Sequence, residues 1–218
     1  MSEMLSSGVA GRALFRLVTY SSQKFPGGLS RVGVLLDDHS VVDVQSCLPD
    51  GANRVRDMQS LIEAGADLLS EVKRVTKMPP AHAITSANEV TLSAPLPRPK
   101  RNVFCLGKNY SEHVSEMKVA FVHSALPAGQ ELPEFPIFFT KAPECVIAPL
   151  DYIEGHEKIS SQLDYEAEMV VVIGKGGRDI TAEKAMEHVF GYSIANDVSS
   201  RDLQKKHMQW FKGTIHFE

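Results

Sequence analysis

No stretch of this sequence could span a bilayer as a helix: its longest unbroken apolar run is the five residues Met169 to Ile173, where about 20 are needed. Cysteine is scarce. Cys47, Cys105 and Cys145 are odd in number and lack CxxC spacing, which argues against a disulfide framework or a thiolate zinc site and favours a reducing compartment. Positive charge is not in excess, with 23 Lys and Arg against 27 Asp and Glu and no basic stripe, so nucleic acid is not an expected partner, and neither is a membrane. Tryptophan occurs once, at Trp210, and is read as a packing residue. The glycine cluster Gly174-Lys175-Gly176-Gly177 lacks the GxxxxGK[ST] spacing of a phosphate loop and reads as a turn. What remains is ordinary: 43% hydrophobic and 23% charged residues with mean hydropathy -0.12 place the 218 residues among folded globular chains. At that length the chain is one large domain, or one domain with a smaller companion. Residues 1–17 carry Arg12 and Arg16 with a single acid, Glu3, a sparse version of a mitochondrial presequence. The expected location is the cytoplasm, with mitochondria the alternative.

Proline also stops early. All 12 prolines lie at or before Pro149, and five fall between Pro79 and Pro99, where Ala94 to Pro99 cannot hold a helix and reads as an extended connector. We therefore expect an accessory α+β domain over 1–94 and a second domain over 95–218. Residues 1–99 hold ten acids and ten bases, whereas 100–218 hold 17 and 13, so a cation site belongs in the second part. In the first, Phe15–Tyr20 and Arg31–Val44 read as strands around the turn Asp37-Asp38-His39-Ser40. Arg56–Val75 reads as a helix whose Met58, Leu61, Ile62, Leu68, Leu69 and Val72 form one buried stripe. In the second, strands are expected at Asn102–Leu106, Ile137–Thr140, Leu163–Gly174 and Tyr192–Ala195. Helices are expected at Tyr110–Met117, capped by Asn109, and at Thr181–Phe190. The MVVVI run predicts burial of its strand on both faces.

Two pairs and one acid could carry chemistry. Glu166 and Glu168, two apart on a strand, leave the same face about 6 to 7 Å apart, a span one cation can bridge. Side chains facing solvent at a strand end give the same pattern. The adjoining apolar run favours the site reading, because paired carboxylates near an interior need a positive partner. Asp197 supplies a third oxygen donor at the end of a separate strand, and three carboxylates without His or Cys suit a hard ion, Mg²⁺, Mn²⁺ or Ca²⁺. His113 and Glu116 share a helix face, so the carboxylate can orient the imidazole to take a proton from water, although an exposed helix yields HxxE by chance.

The order GKNYSEHVSEM (107–117), PIFFTKAPECVIAP (136–149), LDYEAEMVVVIGKGGRDIT (163–181), GYSIANDVSSRDLQ (191–204) and QWFKG (209–213) resembles the fumarylacetoacetate hydrolase family. The resemblance implies an α+β fold, a mixed β-sandwich roll of the fumarylacetoacetase C-terminal type behind a small N-terminal α+β domain. It implies Glu166, Glu168 and Asp197 as ligands of Mg²⁺, with Ca²⁺ or Mn²⁺ as alternatives. By the same resemblance His113 and Glu116 are the water-activating dyad, and Lys141 and Gln204 lie near the substrate. The implied activity is hydrolysis or lysis of a C–C bond in a 2-oxo (β-diketo) acid, an acylpyruvate or oxaloacetate, through a metal-stabilised enolate, in a homodimer. The family has Lys where this sequence has Thr214, and a roll with further strands. The roll is therefore expected to be incomplete here, and the alternative is a form that binds metal or small dicarboxylates without turnover.

Overall fold

The structure, a computed structural model, describes residues 14–109, 134–207 and 210–213. The expected helix at Tyr110–Met117, with His113 and Glu116, and Thr214 lie outside the described residues. The chain divides into two compact units, residues 1–97 with 173–191, and residues 98–172 with 192–218.

In unit 1, β1 (Leu17–Ser21), β2 (Arg31–Leu35), β3 (Val41–Asp43), β4 (Ile84–Thr85) and β5 (Thr91–Leu92) form an antiparallel sheet in the order β4-β3-β2-β1-β5. The β2–β3 turn sits where Asp37 to Ser40 predicts it. Asp38 Oδ1 accepts from the Ser40 amide at 3.0 Å and from its hydroxyl at 2.6 Å, and His39 takes the left-handed conformation, φ 64°. Short helices α1 (Val44–Cys47) and α2 (Gly51–Arg54) lead to α3 (Met58–Val75). Asp57 and Ser60 cap α3 reciprocally, each side chain accepting the other's backbone N–H. Of the expected stripe, Met58, Leu61, Ile62, Leu68 and Val72 are buried and Leu69 is half-buried. The helix is not continuous. Gly65 adopts φ 79°, ψ -162°, which only glycine enters freely, and this break sets the phase of the second half of the stripe.

Burying the polar end of this sheet requires compensation, and Asp43 supplies it. Its carboxylate, with no exposed surface, accepts from Arg31 Nε and Nη2 (both 2.7 Å), Tyr20 Oη (2.8 Å) and the Ser46 amide (2.7 Å). Burial pushes this carboxyl up, but the bonds from Arg31, Ser46 and Tyr20 outweigh it and hold it below the usual carboxylate range.

Three two-stranded pairings complete the described strands; the first two lie in unit 2, and of the third Ile173 and residues 189–191 are grouped with unit 1. β6 (Val103–Gly107) pairs with β7 (Ile137–Lys141), β8 (Leu163–Asp164) with β11 (Ser199–Ser200), and β9 (Ala167–Ile173) with β10 (Val189–Asn196). Helix α4 (Arg201–His207) and a short helix at Trp210–Gly213 follow.

Three expectations need correction. The strand expected over Leu163–Gly174 is two strands, β8 and β9, separated at Tyr165-Glu166. The MVVVI run is not buried on both faces: Met169, Val171 and Ile173 are 63%, 43% and 61% exposed, because β9 lies in a two-stranded pairing that leaves one face open. The segment Thr181–Phe190 is not an α-helix but a 3-10 stretch, Ala182–His188, that enters β10 at Val189. It buries none of its residues and has no side-chain cap, so nothing anchors a regular helix there.

Candidate active site

Backbone pairing in unit 2 runs past β8 and β11 in one register. Ser199 lies opposite Asp164 and Ser200 opposite Leu163, while the Arg201 amide donates to Gln162 O and the Asp197 amide to Glu166 O, both at 2.8 Å. Opposed residues of an antiparallel ladder share a face. Asp164, Glu166, Asp197, Ser199 and Arg201 therefore leave the same side, and two acids well separated in sequence become cross-strand neighbours. Asn196 Oδ1 fixes the Glu166 turn by accepting its amide at 3.2 Å.

Cations hold these acids apart. Arg201 Nε donates to Asp164 Oδ2 at 2.8 Å, Nη2 to Glu166 Oε1 at 2.6 Å and Nη1 to Gln204 Oε1 at 3.2 Å. Burial alone would weaken its hold on the proton, but the two carboxylates raise its pKa further. Lys141 Nζ lies 2.5 Å from Asp197 Oδ1 and donates to Val198 O at 2.9 Å. Although ion-paired, Asp197 Oδ1 is buried and accepts no hydrogen bond of good angle. Asn109 Nδ2 reaches Glu168 Oε2 at 3.5 Å. The Cys105 thiol, on β6 beside Asp197, is pushed up to about 12, first by burial and then by the Asp197 charge, so it stays protonated and is no nucleophile.

These groups surround a cavity of about 30 Å³, lined by Glu166, Glu168, Asp197, Arg201 and Gln204 with Lys108, Phe139 and Trp210. Lys108, just past β6, is held at φ 57°, a conformation costly for a residue with a Cβ and of the kind that collects at functional sites. Helix α4 is tied down by Asp202, which accepts from Ser160 Oγ at 2.6 Å and the Ser161 amide at 3.1 Å.

Five of the seven residues singled out in the sequence thus lie in one neighbourhood: Glu166, Glu168, Asp197 and Gln204 on the cavity and Lys141 on Asp197. His113 and Glu116 lie outside the described residues. Sequence reasoning missed Arg201, Asp164 and Asn109, and it gave Trp210 only a packing role. A signal for Arg201 existed in the two-apart acids Asp164 and Glu166, which demand a cation on their own face. Reading it required the pairing register.

A divalent cation fits this donor set in kind, since three hard carboxylates meet one cavity. As they stand, Arg201 and Lys141 occupy two of the acids, and among the described residues no three His, Cys, Asp or Glu side chains are gathered closely enough to grip an ion.

The description Fumarylacetoacetate (FAA) hydrolase C-terminal matches residues 102–216. The chain is 39% identical to oxaloacetate tautomerase YisK of Bacillus subtilis, over 84% of this chain and 60% of that protein. It is 34% identical to the mitochondrial oxaloacetate tautomerase fahd2 of Xenopus laevis, over 91% and 57%. Among solved structures, a fumarylacetoacetate hydrolase from psychrophilic Exiguobacterium antarcticum superposes with TM-score 0.67 at 34% identity, covering 94% of this chain and 63% of that one. The chain spans about 60% of the length of these relatives.

Proposed function

The chain belongs to the fumarylacetoacetate hydrolase family, and on that premise we propose that unit 2 binds a small 2-oxo acid and interconverts its keto and enol forms, with oxaloacetate the substrate. The observation that carries this reading is the ladder between residues 162–166 and 197–201, which sets Glu166 and Asp197 side by side at the cavity that Glu168 also lines. The two relatives named as oxaloacetate tautomerases support the choice of reaction.

Enolisation removes a proton from C3, forms a C=C bond and places a proton on the former carbonyl oxygen; ketonisation reverses it. Negative charge develops on that oxygen. Glu166, Glu168 and Asp197 would hold Mg²⁺, or Ca²⁺ or Mn²⁺, which when bound supplies Lewis-acid stabilisation of that charge. Lys141 and Arg201 orient the acids, and Gln204, 8% exposed at the cavity wall, presents an amide to a substrate carboxylate. His113, oriented by Glu116, is our candidate for the group that moves the C3 proton.

C–C hydrolysis is the second reading, supported by the HxxE pair in the sequence and by the likeness to a solved fumarylacetoacetate hydrolase. There His113 would deprotonate a water that attacks the distal carbonyl, and the bond β to the 2-oxo group breaks to give two acids. The third is binding without turnover. Loss of enol-oxaloacetate absorbance and release of pyruvate from an acylpyruvate, each followed with Mg²⁺ and with chelator, separate the first two. Calorimetric binding of oxalate without either activity would leave the third. We further propose a homodimer in a reducing compartment, cytoplasmic or mitochondrial. Support for the compartment comes from Cys47, Cys105 and Cys145, all free thiols. Sedimentation and thiol titration test both proposals. No helix among the described residues is long and apolar enough to cross a membrane.

A further inference from the structure

One wall of the cavity is built unlike the rest. The Trp210 indole lines the same cavity as the carboxylates, packed edge-on against Phe139 with ring centroids 5.5 Å apart and planes at 80°. Its room is made by Gly107. A Cβ added there would lie 1.9 Å from Trp210 Cζ3, with Cη2 and Cε3 both within 3 Å. Gly107 is not among the residues in the left-handed region, so its backbone does not demand glycine. The space does. Gly107 faces Ile137 across the β6–β7 ladder, two residues from the Cys105–Phe139 pair, so glycine, phenylalanine and indole form one continuous apolar surface on the face of that ladder that Cys105 shares.

The cavity is partly open, and its apolar lining is Leu106, Gly107, Phe139 and Trp210, of which the indole is the largest. A tail that leaves the acid-binding groups along this lining meets the indole. We propose that Trp210, seated in the space Gly107 leaves, is the size-determining wall of the site: it admits short 2-oxo acids and rejects those with a long or branched tail at the far end. This rests on the 2-oxo acid reading above. Apolar pockets discriminate one methylene by about 10- to 200-fold, so the wall has enough leverage to set specificity.

The test uses the full 218-residue chain with Mg²⁺, and a series running from oxalate and oxaloacetate to acylpyruvates of increasing acyl length. Circular dichroism checks that each variant is folded. In the native chain, kcat/KM or, where turnover is absent, affinity by calorimetry should fall with tail length. In Trp210→Leu the long-to-short ratio should rise at least tenfold, and in the more conservative Trp210→Phe by a smaller factor in the same direction. Gly107→Ala, which must displace the ring from its seat, should change the long-to-short ratio from its native value. Because Trp210 is the chain's one tryptophan, its emission should also change saturably as oxalate binds. An unchanged length profile in both Trp210 variants, or unchanged emission at saturating oxalate, would overturn the wall while leaving the 2-oxo acid reading intact. No binding or turnover of any member of the series by the native chain would sink that reading, and the wall with it.

Discussion

The two units solve the same problem of burial in opposite ways. Unit 1 is built around an apolar core: Tyr20, Val32, Val41, Val42, Val55, Leu61 and Val72 have no exposed surface, and the fully buried acid Asp43 is matched by a guanidinium, a phenol and a backbone amide. In unit 2 the buried residues among those described are Ser160, Ser199, Ser200 and Gln204, all polar, while Phe104, Phe138, Tyr192 and Ile194 are 69%, 62%, 56% and 84% exposed. A hydrophobic core orders the first unit. The second is ordered locally by a ladder and its ion pairs, which hold a site without covering the strands behind it. The stability of one unit and the chemistry of the other should therefore respond to different substitutions.

Asp43→Ala should have the largest effect, about 3 to 5 kcal/mol, because it leaves a partly buried Arg31 without its carboxylate and Tyr20 without an acceptor. Urea unfolding followed by hydrogen exchange should place that loss in unit 1 and leave unaffected the Asp197 and Arg201 amides of unit 2, which donate to Glu166 O and Gln162 O. The acid response follows from the same network. A carboxyl held below its usual value stabilises fully above the ordinary aspartate pKa of about 4 and loses that contribution as pH falls through the lower folded value. Acid titration of unit 1 should thus show a destabilising step below about pH 4 that is missing from Asp43→Ala.

Arg201→Gln should act on the other side of the comparison. It leaves Asp164 and Glu166 facing each other without their shared cation, and about 2 kcal/mol of local stability should be lost from the ladder, read as faster exchange at the ladder-bonded amides of residues 197 and 201 with unit 1 unchanged. Loss of protection throughout the chain would show that the units are not independent. The smallest effect is expected at Phe138→Ser. On an exposed strand face it should change stability by no more than about 0.5 kcal/mol while reducing binding of a dye that reports apolar surface.

The contrast also decides what was legible in the sequence. Unit 1 was readable because its patterns are local: Asp37 to Ser40 names its own turn, and the period of Met58, Leu61 and Ile62 names the buried side of α3. The break at Gly65 was not, since a single glycine inside a helical pattern is usually tolerated. In unit 2 the ExE pair and Asp197 were recognisable as acids needing a partner, and the structure brings them to one cavity with Gln204. Their partner Arg201 became visible only through register, which joins residues 35 apart. The run MVVVI misled for a related reason: an apolar run states that a strand can be covered on both faces, and cannot state that it is. Trp210 looked like packing, and it does pack, but against the glycine and phenylalanine that border the site.

The central claim is that Glu166, Glu168 and Asp197 act together as one cation-binding set. Calorimetric titration of the native chain and of Glu168→Ala with Mg²⁺, each in the presence of oxalate, tests it most directly. Saturable one-to-one binding in the native chain that disappears in Glu168→Ala, with the circular dichroism spectrum unchanged, is the predicted result; equal affinity in the two proteins would contradict it.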